Sequence, residues 1–97
     1  MSRLRLTPAA LGDLSDIWDW TAGRWSESQA EIYTGELHAG MVRVAEDPRR
    51  GRDRADVADG YRSYAIGSLV VWFRLSDSDS VEVIRVLHQR MDPGLNL

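Results

Sequence analysis

Cysteine and lysine are both missing from this sequence of 97 residues. Without cysteine, disulfides and thiolate metal sites are excluded, and the fold does not depend on an oxidising compartment. Without lysine, Schiff-base chemistry and a P-loop lysine are excluded, and all 12 basic residues are arginine. A GC-rich genome is the simplest explanation for the exclusive use of arginine.

Long apolar runs are missing as well. No stretch approaches the roughly 20 apolar residues of a membrane helix, and the opening MSRLRLTPAA lacks the apolar core of a signal peptide. We therefore expect a cytoplasmic protein with no membrane partner. The length predicts one domain over residues 1–97. The net charge of -3 argues against a protein that mainly coats nucleic acid.

Two helices are predicted in the first half of the chain, as a hairpin. Thr7 can cap a helix with Pro8 at its first position. A second helix begins at the capping box Ser26–Gln29 and ends before Asp47-Pro48. Its apolar positions are Ala30, Tyr33, Leu37, Met41 and Val44 or Ala45; those of the first helix are Leu11, Leu14, Ile17, Trp18 and Thr21, with Asp13, Asp16 and Asp19 on the solvent side.

Two glycines lie inside the second predicted helix, Gly35 and Gly40. Each costs about 1 kcal/mol relative to alanine, so either the helix is locally weak or another element packs very close. Close contact with the first helix or the sheet is the simpler interpretation.

The second half of the chain predicts a β-meander. A short N-terminal strand, Arg3–Leu6, alternates polar and apolar residues ahead of the helices. Together these elements predict an α+β fold of two layers, with the N-terminal strand and a three-stranded antiparallel meander on one side and the helical hairpin on the other. The meander strands are predicted at 61–66, 69–75 and 81–88, joined by turns at Gly67-Ser68 and 76–80.

The loop at 48–60 carries four arginines interleaved with three aspartates. Mutual pairing in solvent is the simpler interpretation, because exposed ion pairs are common and weak. A site for phosphate or an acidic partner is the alternative. The arginines are Arg49, Arg50, Arg52 and Arg54, and the aspartates are Asp53, Asp56 and Asp59.

The last strand carries the candidate site. Strict alternation would place Val83, Arg85 and Leu87 on one face and Ile84 and Val86 on the other, as in an inner strand. The guanidinium of Arg85 then needs a carboxylate, open water or a bound anion. A polar cluster ends the strand: His88, Gln89, Arg90 and Asp92.

Enzyme signatures are weak in this sequence. The two histidines, His38 and His88, lack metal-ligand spacing, and there is no Gly-rich phosphate loop or serine nucleophile elbow. A histidine near several arginines would suit acid–base work on a phosphodiester, but no base and nucleophile pair accompanies it. We therefore expect no catalytic residue, cofactor or metal, and we keep His88, Arg85 and Arg62 as the catalytic alternative.

The order of strand, helical hairpin, arginine-rich loop and meander resembles the ParE toxins of the RelE/ParE superfamily. The resemblance covers nearly the whole chain, through PAALGDLSDIWDWTAGRWSESQAEIY, DPRRGRD, GYRSYAIGSLVVWFRL and VEVIRVLHQRMD. Its most specific parts are the Gly60-Tyr61-Arg62 step and the closing stretch from Val86 to Asp92.

The resemblance implies the toxin of a type II toxin–antitoxin module, which maintains a plasmid or chromosome. ParE-like toxins block DNA gyrase where DNA is cleaved, and so stop replication and growth. A ParD-like ribbon–helix–helix antitoxin neutralises them, and operator DNA is met only through that antitoxin. RelE-type relatives cleave mRNA on the ribosome; the lack of lysine and of a C-terminal tyrosine, and the acidic balance, favour gyrase. A non-toxic co-repressor is the third possibility.

Roles for particular residues also follow from the resemblance. The strand end and tail would face the target, through Arg62, Arg85, His88, Arg90, Met91 and Asp92. Aromatic residues of the hairpin would anchor an antitoxin helix, although core packing is the alternative for the tryptophans. The candidates for antitoxin binding are Trp18, Trp20, Trp25, Tyr33 and Leu37, with Arg49, Arg50 and Arg52 from the loop.

Overall fold

A computed structural model describes residues 3–76 and 80–97. Its sheet has the order β1-β5-β4-β3-β2, with β1 parallel to β5 and the other neighbours antiparallel. The two long helices pack together and against one face of the sheet, so the predicted α+β fold is confirmed. The elements are β1 (Arg3–Leu6), α1 (Pro8–Arg24), α2 (Glu27–Glu46), a 3-10 turn (Pro48–Arg50), β2 (Arg52–Asp53), β3 (Tyr61–Ile66), β4 (Leu69–Leu75), β5 (Ser80–His88) and α3 (Pro93–Asn96).

Thr7 connects the first strand, the first helix and the sheet. Its hydroxyl accepts a hydrogen bond from Ala10 N at 3.1 Å, as the predicted helix cap requires. The same hydroxyl donates to Ile84 O at 2.7 Å, and Thr7 N donates to Val83 O at 3.0 Å. The start of α1 is therefore fixed to the edge of β5 where β1 ends.

The second helix begins and ends where the sequence predicts. Ser26 Oγ accepts from Gln29 N at 3.0 Å, and the helix stops at Glu46. A Cβ at Gly40 would overlap the side chain of Ile66 on β3, whereas a Cβ at Gly35 would meet nothing within 4 Å. The close contact with the sheet is therefore present at Gly40 and absent at Gly35.

The predicted meander is present as β3, β4 and β5, and Gly67 has the positive φ that its tight turn requires. The turn predicted at 76–80 lies partly outside the described residues. One strand, β2, was not predicted, because its two polar residues show no alternation of polar and apolar positions. It forms where Gly51 approaches the ring of Phe73 so closely that a Cβ would overlap it.

The alternation predicted for β5 is wrong beyond Val83. A register shift pairs Trp72 with Arg85 but the next residue, Phe73, with Val83, so β5 contains an extra residue at Ile84. Val86 consequently joins Val83 in the core cluster that faces the helices.

The core lies between the sheet and the helical hairpin. Leu11 was expected in it but is exposed, and Ala10 takes that place. No helix in the described ranges has the length and apolar character needed to cross a membrane. The core residues are Ala10, Leu37, Met41, Val44, Ala45, Leu69, Val71, Phe73, Val81, Val83 and Val86.

Candidate functional site

A groove of about 430 Å³ lies where β5 ends beside α1, and we call it the strand-end groove. It is partly open to solvent, and most of its wall is apolar. The residues that line it come from both helices, two strand ends and the C-terminal tail, and include Ile17, Trp20, Tyr33, Leu69, His88 and Met91.

One wall of the strand-end groove contains an ion pair between α1 and β5. Arg85 Nε and Nη2 donate to the two carboxylate oxygens of Asp13, each at 2.7 Å, and Val86 N donates to Asp13 Oδ2 at 2.9 Å. The Asp13 side chain is only 11% exposed and that of Arg85 28%. This hydrogen bonding with Asp13 raises the pKa of Arg85 above its usual value. Arg85 therefore has the carboxylate partner that an inner-strand charge requires.

Asp13 was placed on the solvent side of its helix, and that placement is wrong. The buried stripe of α1 runs through Ala10, Ile17 and Thr21. Asp13 is three residues from Ala10 and four from Ile17, so it projects from the same stripe. This spacing could be read from the sequence, but the partner of Asp13 could not. Asp16 and Asp19 are exposed, as predicted.

The polar cluster at the end of β5 begins at the strand-end groove, which His88 lines. Arg90 N donates to His88 Nδ1 at 3.1 Å, and Asp92 caps the short helix α3 by accepting from Gly94 N at 2.8 Å. Met91 is 41% exposed beside them. Four of the residues predicted to face a target, His88, Arg90, Met91 and Asp92, thus lie together at one surface.

Arg62 does not join that cluster. It pairs with Phe73 of β4, whereas His88 pairs with Leu69, so the two are separated by about 13 Å along the strands as well as by β4 itself. Arg62 Nη1 donates instead to Gly51 O at 3.0 Å. Arg62 therefore lies apart from the other residues that were predicted to face the target.

A second groove, the hairpin-tip groove, lies where α1 passes into α2. Its volume is about 440 Å³. Trp20 is 62% exposed and Trp25 67%, and the guanidinium carbon of Arg24 lies 5.6 and 5.8 Å from their ring centroids. Trp20 and Tyr33 line both grooves, so the two form one continuous surface. The hairpin-tip groove is lined by Trp20, Thr21, Trp25, Gln29 and Tyr33.

Two further antitoxin candidates on the helices do not reach this surface. Leu37 is fully buried and belongs to the core cluster between the helices and the sheet. Trp18 is half-buried and lines neither groove. Leu37 is thus separated from Trp20 and Trp25 by its position in the core, and Trp18 by the face of α1 on which it lies.

The arginines predicted to bind the antitoxin lie at the far end of α2, about 30 Å from the hairpin tip for a helix of 20 residues. Arg49 Nε donates to Asp47 Oδ1 at 3.0 Å, and this hydrogen bond lowers the pKa of Asp47. Arg50 donates to Arg43 O at 3.2 Å. Arg52 is exposed on β2. They form a surface separate from the aromatic one.

A third cleft lies on the sheet face away from the helices and is lined by Arg54 and Trp72, among other residues. The contact between these two side chains was missed in the sequence. The guanidinium carbon of Arg54 lies 4.8 Å from the ring centroid of Trp72. Arg54 also makes a two-pronged pair with Asp56, both distances being 3.0 Å. Mutual pairing within the arginine-rich loop is thereby confirmed for these two residues.

Sequence comparisons match nearly the whole chain. The family model described as ParE toxin of type II toxin–antitoxin system, parDE, matches residues 4–93. Toxin ParE1 from two strains of Mycobacterium tuberculosis is 44% identical over 96 residues, covering 99% of this chain and 98% of the relative. Toxin ParE1 of Caulobacter vibrioides is 41% identical over 97 residues, covering 100% of this chain and 99% of the relative.

Two solved structures share the fold. A chain of the chromosomal ParDE toxin–antitoxin system from P. aeruginosa matches with a TM-score of 0.79 at 18% identity, over 91% of this chain and 96% of that chain. A chain of the toxin–antitoxin complex RelBE2 from Mycobacterium tuberculosis matches with a TM-score of 0.66 at 20% identity, over 90% and 96% of the two chains. At these identities the likeness concerns the fold alone.

Proposed function

This chain belongs to the ParE toxin family of type II toxin–antitoxin systems, and from that membership we propose that it arrests growth by binding DNA gyrase. Binding would block the enzyme at the stage where DNA is cleaved and so stop replication in the cytoplasm. A ParD-like ribbon–helix–helix antitoxin would neutralise it and connect it to operator DNA. The observation that carries the proposal is the family match over residues 4–93.

The exposed aromatic surface supports a protein partner. Trp20 and Trp25 leave most of their side chains in solvent, beside a groove that Tyr33 also lines. Large aromatic side chains of this kind contribute strongly at protein interfaces once a partner covers them. Because Trp20 and Tyr33 also line the strand-end groove, an antitoxin on the hairpin tip would lie against the surface proposed for the target. This arrangement supports neutralisation by overlap of the two binding surfaces.

The geometry gives the ribonuclease alternative less support. That alternative needs His88, Arg85 and Arg62 to act on one phosphodiester. Arg85 is held by Asp13, and Arg62 lies on another strand about 13 Å along the sheet from His88. The three side chains are therefore not positioned around one reacting group.

The test of the gyrase proposal is a supercoiling assay with antitoxin-free protein, gyrase, relaxed plasmid and ATP. We expect loss of supercoiling with accumulation of cleaved DNA, and recovery when the cognate antitoxin is added. Unaffected gyrase together with cleaved mRNA in a ribosome assay would overturn the proposal in favour of the ribonuclease. No effect in either assay would favour the non-toxic co-repressor.

The antitoxin surface has a separate test. Trp25→Ala and Trp20→Ala should each weaken antitoxin binding at least about tenfold, which corresponds to about 1.4 kcal/mol. The matched control is Leu11→Ala, since Leu11 is also exposed on α1 but lines neither groove. Calorimetric titration measures the affinities. Equal affinities for the tryptophan variants and the control would remove the hairpin tip from the interface.

A further inference from the structure

The C-terminal segment, residues 89–97, folds back onto the end of β5 instead of leaving the sheet. Gln89 N donates to Ser68 O at 2.8 Å, and Met91 N donates to His88 O at 2.9 Å. These hydrogen bonds hold only the beginning of the segment. The far end is held differently, by a side chain of the strand itself.

Arg85 is that side chain. Its Nη1 donates to the backbone carbonyl of Asn96 at 2.7 Å, and Asn96 Nδ2 donates to Asp92 O at 2.7 Å. The guanidinium thus connects the strand to the last turn of the chain. With Nε and Nη2 already donating to Asp13, at least three of its five N–H groups are engaged. At most two N–H groups of Arg85 therefore remain to contact an anion on another molecule.

Asp13 decides where the guanidinium points. Its two oxygens hold Nε and Nη2 in a planar, two-pronged pair, and in that geometry Nη1 is directed towards Asn96. Asp13 also accepts from Val86 N, beyond Val83, the last residue of β5 that β1 pairs with. The carboxylate therefore both satisfies one backbone N–H at the edge of β5 and orients Arg85.

The position of the segment shapes the surfaces on both sides of it. Met91 lines the strand-end groove and also the cleft on the opposite face of the sheet, where Pro93 contributes too. If the segment moved away from Arg85, both surfaces would change shape together. Through the hydrogen bond from Arg85 to Asn96, the Asp13–Arg85 ion pair therefore acts on the shape of an exposed surface.

We propose that Asp13 is a positioning residue that acts through Arg85 to hold residues 89–97 against the strand end, and that this segment, not the Arg85 guanidinium, contacts the target. The second half of this statement rests on the proposed function. The first half concerns the toxin alone and is measured without any partner.

The test compares Asp13→Asn with Asp19→Asn. Both remove one negative charge from α1, but Asp19 is exposed and lines neither groove. Hydrogen exchange should be at least about tenfold faster at Leu95 and Leu97 in Asp13→Asn, with amides of β3 and β4 unchanged. The concentration that inhibits gyrase by half should rise by about the same factor. Asp19→Asn should match the unsubstituted protein in both measurements.

Each outcome decides one half of the proposal. Unchanged exchange in the C-terminal segment of Asp13→Asn overturns the positioning role. Faster exchange with undiminished gyrase inhibition overturns the segment as target contact. If the unsubstituted protein leaves gyrase unaffected, the proposed function fails while the exchange result still decides the positioning role. Arg85→Lys provides the same comparison if Asp13→Asn does not fold, since an ammonium cannot reproduce the planar pair and the bond to Asn96.

Discussion

Replacing the two glycines of α2 by alanine should have unequal effects on stability. Either change favours the helix by about 0.8–1 kcal/mol. At Gly35 a Cβ meets nothing within 4 Å, so Gly35→Ala should stabilise the protein by nearly that amount, raising Tm by about 4–8 °C. At Gly40 a Cβ would overlap Cδ1 of Ile66 and lie 3.1 Å from its Cγ1 and 3.6 Å from Tyr64. Overpacking of this kind costs about 1–3 kcal/mol, which cancels or outweighs the helix gain.

The contact that opposes the Gly40 change can be removed separately. Ile66→Val deletes the overlapping Cδ1 atom at a cost of about 0.5–1.5 kcal/mol. In the double variant with Gly40→Ala the loss should be smaller than the sum of the two single losses, by about 1 kcal/mol. Urea unfolding followed by circular dichroism measures all four proteins at a common m-value. Additive losses, or a Gly40→Ala protein as stable as Gly35→Ala, would refute this reasoning.

Three further predictions test particular contacts. Gly51→Ala should lower the free energy of unfolding by about 3 kcal/mol, because its Cβ would overlap the buried ring of Phe73; urea unfolding within about 0.5 kcal/mol of the unsubstituted protein would contradict this. Leu37→Ala should lower the free energy of unfolding by about 2–5 kcal/mol, yet leave the antitoxin affinity of the folded protein within about threefold. A selective loss of affinity in calorimetry would place Leu37 in the interface. Arg54 lowers the pKa of Asp56 through their hydrogen bond, so the pair should add a small, salt-sensitive stability that Asp56→Asn removes. This stability should be complete above the usual pKa of 3.8 and vanish as the pH falls below the folded-state pKa. If thermal unfolding shows the same difference between Asp56→Asn and the unsubstituted protein at pH 2 and pH 7, the pair is not its source.

The two grooves together give a physical account of how one partner could exclude another. The hairpin-tip groove and the strand-end groove share Trp20 and Tyr33. A helix laid along the exposed tryptophans would bury the side of the strand-end groove that these residues form. In the proposed function, antitoxin and gyrase would therefore compete for adjoining areas without needing a change in the fold.

The sequence by itself determined the elements whose signals are local. Thr7 with Pro8, and Ser26 with Gln29, mark helix starts because a side chain three residues away satisfies a backbone N–H, and the structure contains both caps. The turn at Gly67 is equally local, since only glycine readily takes its positive φ. Such signals involve neighbours in the chain, so their partners can be found by counting residues.

Only the tertiary structure decided how distant residues meet. The register shift at Ile84 reverses which of the later residues of β5 face the helices, and no residue near Ile84 in the sequence predicts it. Asp13 and Arg85 are 72 residues apart, so a carboxylate that looked solvent-exposed became the partner of the strand's lone charge. Arg62 and His88 were predicted to face the same target, but the pairing of β3, β4 and β5 places them apart. Strand register and helix placement are collective results of packing, and a site assembled from several elements depends on both.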